Sequence, residues 1–111
     1  MRTILVVSRD RNFRSLLRAQ LREEGFEAFG FETLDDAARA LDTSAKPVLV
    51  CDLADAPESE RSSLLSGWLP QVPTLVLASA AERCEFPGVQ VLRRPVRIAE
   101  VLEAVKTLMK A

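Results

Sequence analysis

The chain has no histidine and no tyrosine. Without an imidazole it has no side chain that ordinarily titrates near neutral pH, no Ser-His arrangement and few routes to a zinc site. Cysteine is almost as scarce. Cys51 and Cys84 are the only two, too few for a disulfide framework. That suits a reducing compartment, and a cytoplasmic location is expected. No apolar run approaches the roughly 20 residues of a membrane span. No small-residue cleavage site follows the N-terminus, so no signal peptide is expected. Charge of one sign is missing too. Fifteen basic residues against sixteen acidic leave a formal charge of −1, with no overall positive field to draw nucleic acid. No glycine-rich phosphate loop follows any apolar run, which argues against a nucleotide-binding enzyme.

What is present is an alternating pattern. The 111 residues, 48% of them apolar, suffice for one domain spanning 1–111. Five short apolar runs read as strands: 3–7, 27–31, 48–52, 74–79 and 89–92. Gly30 weakens the second and places it at an edge. Helical spacing separates the runs. Phe13, Leu16, Leu17 and Leu21 share one face, which Gly25 closes. Thr33 caps a helix whose inner face is Leu34, Ala37, Ala38 and Leu41, with Asp36 as its capping-box partner. Asp55 and Glu58 form another capping box around Pro57, ahead of Leu64, Leu65, Trp68 and Leu69. Pro70 and Pro73 end that helix. Residues 80–86 hold about two turns at most, so a fourth helix is shortened or missing. The last helix buries Ile98, Val101, Leu102, Val105, Leu108 and Met109. Strand–helix alternation predicts a doubly wound, flavodoxin-like α/β fold with a five-stranded parallel sheet. Ligands in such sheets meet the C-terminal strand ends. The loops after Val7, Asp52, Ala78 and Leu92 converge there.

The apolar run Val48-Leu49-Val50-Cys51 ends in the carboxylate of Asp52. Ile4-Leu5-Val6-Val7, Asp52-Leu53, Pro73-Thr74-Leu75-Val76-Leu77 and Arg94-Pro95 together resemble a response-regulator receiver domain, from about residue 2 to about residue 109. The resemblance implies phosphoryl transfer to an aspartate, with Mg²⁺ held by an acidic pair after the first strand. It also implies a Ser/Thr ending the fourth strand and a lysine before a proline after the fifth. Asp52 stands at the phospho-acceptor position. The acidic pair is replaced by Ser8 and Arg9, with Asp10 one position late. Ala78 stands at the Ser/Thr position beside Ser79, and Arg94 stands for the lysine. Mg²⁺ takes octahedral oxygen ligands, usually including carboxylates. Ser8 offers a weak neutral oxygen and Arg9 a positive charge, so the metal site is expected to be lost.

These substitutions lead to a degenerate receiver, or pseudo-receiver. Asp52 is expected to pair with Arg9 or Arg94, a guanidinium taking the metal's place. Arg93, Arg94 and Arg97 read as a solvated loop. Arg11, Arg14, Arg18 and Arg22 read as a solvated helix face beside Glu23, Glu24 and Glu27. Cys51 is expected in the core, Cys84 is no evident nucleophile, and Trp68 belongs to core or interface. The expected function is a two-component-type signalling module that works by protein–protein contact without phosphorylation. Its expected partners are a sensor kinase, an output domain or a second copy of the chain in a homodimer. Neither nucleic acid nor membrane is an expected partner, and no independent enzyme activity is expected. Two alternatives stand beside this reading. One is a working receiver that a histidine kinase phosphorylates at Asp52 with Mg²⁺. The other is an anion- or small-ligand-binding α/β domain that uses Arg9 and Arg94.

Overall fold

The computed structural model describes residues 2–41, 46–81 and 86–110. Five strands, β1 (Thr3–Val7), β2 (Glu27–Phe31), β3 (Val48–Asp52), β4 (Thr74–Ala78) and β5 (Gln90–Arg93), form one sheet. All neighbours are parallel, in the order β2-β1-β3-β4-β5. This is the doubly wound, flavodoxin-like arrangement that the alternation predicts. Every residue of β3 and β4 is buried, whereas the edge strands β2 and β5 are only partly covered. Continuous apolar runs therefore sit in the centre, where helices cover both faces.

The period-2 alternation of the strands sorts the core into two layers. Ile4, Val6, Val50, Leu75 and Leu77 face Phe13, Leu17 and Leu21 of helix α1 (Arg11–Glu23) and Val101, Leu102 and Val105 of helix α4 (Ile98–Lys110). Leu5, Val7, Leu49, Cys51, Val76 and Ala78 face the other way. They meet Leu34 and Ala37 of helix α2 (Leu34–Ala40), and Leu64 and Trp68 beyond helix α3 (Glu58–Ser63). Cys51 is thus a core residue, and Trp68 packs inside the second layer.

Caps set the helix starts. The Asp10 carboxylate accepts from the Phe13 amide at 3.1 Å, so α1 begins at Arg11, two residues before its first apolar position. The Thr33 hydroxyl accepts from the Asp36 amide at 3.1 Å and starts α2. Gly25, at φ 92°, follows the end of α1 in the left-handed region.

Four sequence expectations need correction. Leu16 is 58% exposed, because α1 packs through the Phe13–Leu17–Leu21 line and Leu16 lies to one side of it. Ala38 is exposed, since α2 is short and buries only Leu34 and Ala37. Asp55 does not cap α3. It sits at φ 61° in the preceding turn, and Pro57 takes the N-cap position without a side-chain bond. Leu65 is 51% exposed because α3 widens into a π-helical segment, Leu64–Trp68, where the Leu69 amide reaches the Leu64 carbonyl at 3.0 Å. The wider turn changes which side chains share a face. Among the described residues no helix lies between β4 and β5. Residues 82–85, on which the reading of Cys84 rests, lie outside the described residues.

Leu17 and Leu16 therefore predict opposite outcomes. Leu17→Ala should cost about 2–5 kcal/mol, as a fully buried leucine truncation does. Leu16→Ala should stay within about 0.5 kcal/mol of the parent. Urea unfolding of the two variants checks this, and equal losses would contradict the packing of α1.

Candidate functional site

Asp52 ends β3, and the parallel register brings the ends of β1, β4 and β5 beside it. Its side chain is only 2% exposed. A buried carboxylate needs donors, and three arrive from three different segments. Ser8 Oγ, fully buried just past β1, donates to Oδ2 at 2.8 Å. Arg94 Nη2, just past β5, donates to the same oxygen at 2.5 Å. The Ala54 amide donates to Oδ1 at 3.1 Å. Ser8 Oγ in turn accepts from the Asp10 amide at 3.1 Å, so the hydroxyl is held on both sides.

Arg94 is the anchor of this arrangement. Its amide donates to the Ala78 carbonyl at 2.8 Å, which fixes the backbone against the end of β4. Its guanidinium lies 4.4 Å from the centroid of the Phe13 ring. A guanidinium on an aromatic face is attracted by the ring quadrupole. Nη1 stands 3.9 Å from Asp10 Oδ2. Carboxylate, ring and N-cap thus tie the end of β5 to β3 and to the first turn of α1.

Arg9 does something else. The sequence offered it as a partner for Asp52, but its Nη2 meets Glu60 Oε2 at 2.9 Å. Glu60 Oε1 accepts from the Leu34 amide at 2.6 Å, the first residue of α2. Glu60 is 8% exposed and bridges the loop after β1, the start of α2 and α3. The carboxylate answers an orphan amide at the positive end of α2, where a negative charge is stabilised. With Glu60 filling this role, Arg9 turns to it and leaves Asp52 to Arg94.

Glu60 was missed in the sequence, although a signal exists. Glu60, Leu64 and Trp68 recur every four residues, so Glu60 sits on the buried line of its helix. A charged residue there requires a partner. Phe13 also escaped notice as a site residue, because its place in the apolar face of α1 already explained it.

Asp52, Arg94, Arg9, Asp10, Ala54 and Asp55 line a cleft of about 400 Å³ at the C-terminal end of the sheet. Ser8 lies beneath it. Ala78 is buried and contributes only its carbonyl to Arg94. The Ser79 carbonyl accepts from Arg93 Nη1 at 3.3 Å. The structure brings Ser8, Asp10, Asp52, Ala78 and Arg94 together around one point, with Ser79 at its margin.

The residues do not fit a magnesium ion. Both Asp52 oxygens already hold donors, and one Asp10 oxygen caps α1. Arg94 brings its positive charge between the Asp52 and Asp10 carboxylates. Among the described residues no cluster of three or more metal-binding side chains occurs. Among them, too, no helix is long and apolar enough to cross a membrane.

No family model and no curated protein sequence matches the chain. Solved structures do. A response regulator receiver protein from Burkholderia phymatum superposes with a TM-score of 0.74 at 20% identity, over 99% of this chain and 96% of that one. A response regulator from Thermotoga maritima gives 0.73 at 19% identity, covering 100% and 99%. A sensor protein from Polaromonas sp. JS666 gives 0.74 at 16% identity, covering 98% and 96%. The chain has the receiver fold. At these identities the likeness concerns architecture, and the chemistry must be argued from the cleft.

The pair is asymmetric, and that makes it testable. Arg94→Met strands a carboxylate that has almost no access to water, and should cost about 2–4 kcal/mol, somewhat less than a fully buried pair. Asp52→Asn leaves a guanidinium that is 26% exposed and can reach solvent, so its cost should be smaller. Chemical denaturation of both singles and the double variant should give a coupling energy of about 1–3 kcal/mol. Additive losses would mean that the two side chains do not depend on each other.

Proposed function

We propose that this chain is a receiver-like signal-transduction module of a two-component-type system, acting by protein–protein contact without phosphorylation of Asp52. It is a pseudo-receiver in this reading, cytoplasmic and without enzymatic activity of its own. The observation that carries the proposal is the Asp52–Arg94–Ser8 cluster. A phospho-acceptor needs a carboxylate oxygen free to attack phosphorus, and a cation to neutralise the charge that develops on the transferred group. Oδ2 of Asp52 holds two donors, one of them a guanidinium, and Oδ1 holds a third. Ala78 has no hydroxyl with which to contact a phosphoryl oxygen. The cluster supports a site kept in one state by its own side chains, with the receiver's shape retained for contact with a sensor kinase, an output domain or a second copy.

A working receiver phosphorylated at Asp52 is the second reading. It has one observation in its favour, that Asp52 lines an open cleft at the end of β3. The anion-binding reading is weaker. Arg9 and Arg94, which would have to hold the anion, are both engaged by carboxylates of the same molecule.

Intact mass after incubation with Mg²⁺ and acetyl phosphate separates these readings. The expected result is no phosphoryl adduct, with amide spectra unmoved by Mg²⁺ and beryllofluoride. An adduct that disappears in Asp52→Asn would return the chain to phosphorelay chemistry.

A further inference from the structure

Helix α1 carries four arginines, Arg11, Arg14, Arg18 and Arg22. At about 100° per residue they fall within an arc of about 80°, one stripe along the helix. The structure shows that they are not an ordinary solvated face. Arg14 Nη1 donates to the Ser8 carbonyl at 2.6 Å. Arg18 Nε and Arg22 Nε both donate to the Ala28 carbonyl, each at 3.2 Å. Ala28 lies in β2, which pairs with β1 on one side only. Gly30 makes room for Arg14. A Cβ there would stand 3.0 Å from Arg14 Cγ, so the bare backbone of β2 lets the Arg14 stem lie against it.

Three of the four guanidiniums are therefore held by backbone carbonyls rather than by acids. Among the described residues none of the four reaches a carboxylate within ion-pair distance. Of the acids close in sequence, Glu24 is taken by Lys106 at 3.2 Å, and Glu27 accepts from the Thr3 hydroxyl at 3.1 Å. Positive charge is thus fixed in place without an ion pair among the described residues, in a chain whose net charge is −1.

We infer that this stripe is a docking surface for a partner helix bearing Glu or Asp at four-residue steps. The inference rests on the reading of the chain as a protein-interaction module. Arg14, Arg18 and Arg22 rise about 6 Å from one to the next, and carboxylates at the same steps on a facing helix repeat at the same distance. With Nε of Arg18 and Arg22 committed to Ala28, their terminal amino groups remain to meet carboxylate oxygens. Holding the side chains in advance lowers the entropy lost on docking. A polyanion is a poorer match. The stripe holds no aromatic residue on which a base could stack. Strand addition at this edge is obstructed, because Arg18 and Arg22 already occupy the Ala28 carbonyl.

The test uses a synthetic alanine-based helical peptide with glutamates at four-residue steps. A peptide of the same composition with its glutamates spread around the helix is the control, and a DNA duplex of matching charge is the competitor. Binding is followed by amide chemical shifts at low salt. The expected result is shifts confined to α1 and β2, binding about tenfold tighter for the aligned peptide than for the control, and loss on adding salt. Arg18→Glu with Arg22→Glu should abolish it. Those two residues also bond the backbone, so Arg11→Glu is the safer variant. Among the described residues the Arg11 side chain makes no hydrogen bond or ion pair, and its reversal should weaken binding about threefold without changing the melting temperature. Equal affinity for the two peptides, no shifts at α1, or tighter binding of the duplex overturns the inference. A phosphoryl adduct at Asp52 would sink the proposed function and leave this result standing. A silent stripe with no adduct would sink the docking surface alone.

Discussion

A carboxylate that has lost nearly all contact with water has to be answered inside the protein, and Asp52 sets that demand at the end of the central strand. The three donors that meet it come from the end of β1, from the loop after β3 and from the end of β5. Three separate stretches of chain are thereby fixed to one point. The rest of the site follows from that closure. Arg94 reaches Asp52 by lying on Phe13, which draws the first turn of α1 toward β5. Ser8 reaches it by accepting from the Asp10 amide, which settles the loop that leads into α1. A buried pair of this kind adds little net stability, because desolvation offsets most of the attraction. Its effect is to exclude other arrangements, since any departure leaves one charge stranded.

The sheet was the most legible part of the sequence. Val48 to Cys51 and Thr74 to Ala78 have no polar alternation, and only a strand covered on both faces explains that. From there the parallel order and the meeting point of the loops follow from general topology. Helix faces were read less well, for reasons visible in particular residues. Leu16 and Leu65 are as apolar as their buried neighbours, so composition could not separate them. For Leu16 the line of packing decides, and for Leu65 the π-helical widening does. That widening depends on how α3 meets the sheet, which no local pattern encodes.

The site divides in the same way. Asp52, Ser8 and Arg94 stand at or just past strand ends, where the order of elements makes the loops converge, and the receiver resemblance singled them out there. Residues that matter through a long side chain were not placed. Arg9 and Arg94 are chemically identical, and nothing in sequence says which of them takes Asp52. Glu60 decides it by claiming Arg9, and Glu60 itself is recognisable only once its spacing with Leu64 and Trp68 is noticed. The fold is held by apolar periodicity, which many sequences satisfy, while the cleft depends on single side chains such as Arg94 and Glu60.

Glu60 has a mechanical consequence of its own. One oxygen holds the guanidinium of Arg9 and the other holds the first amide of α2. The carboxylate plane is rigid, so the two attachments cannot shift independently. A displacement of the loop after β1 would pull on the start of α2, and a displacement of α3 would pull on both. The corner formed by these three segments is therefore joined at a single carboxylate rather than by three separate loops.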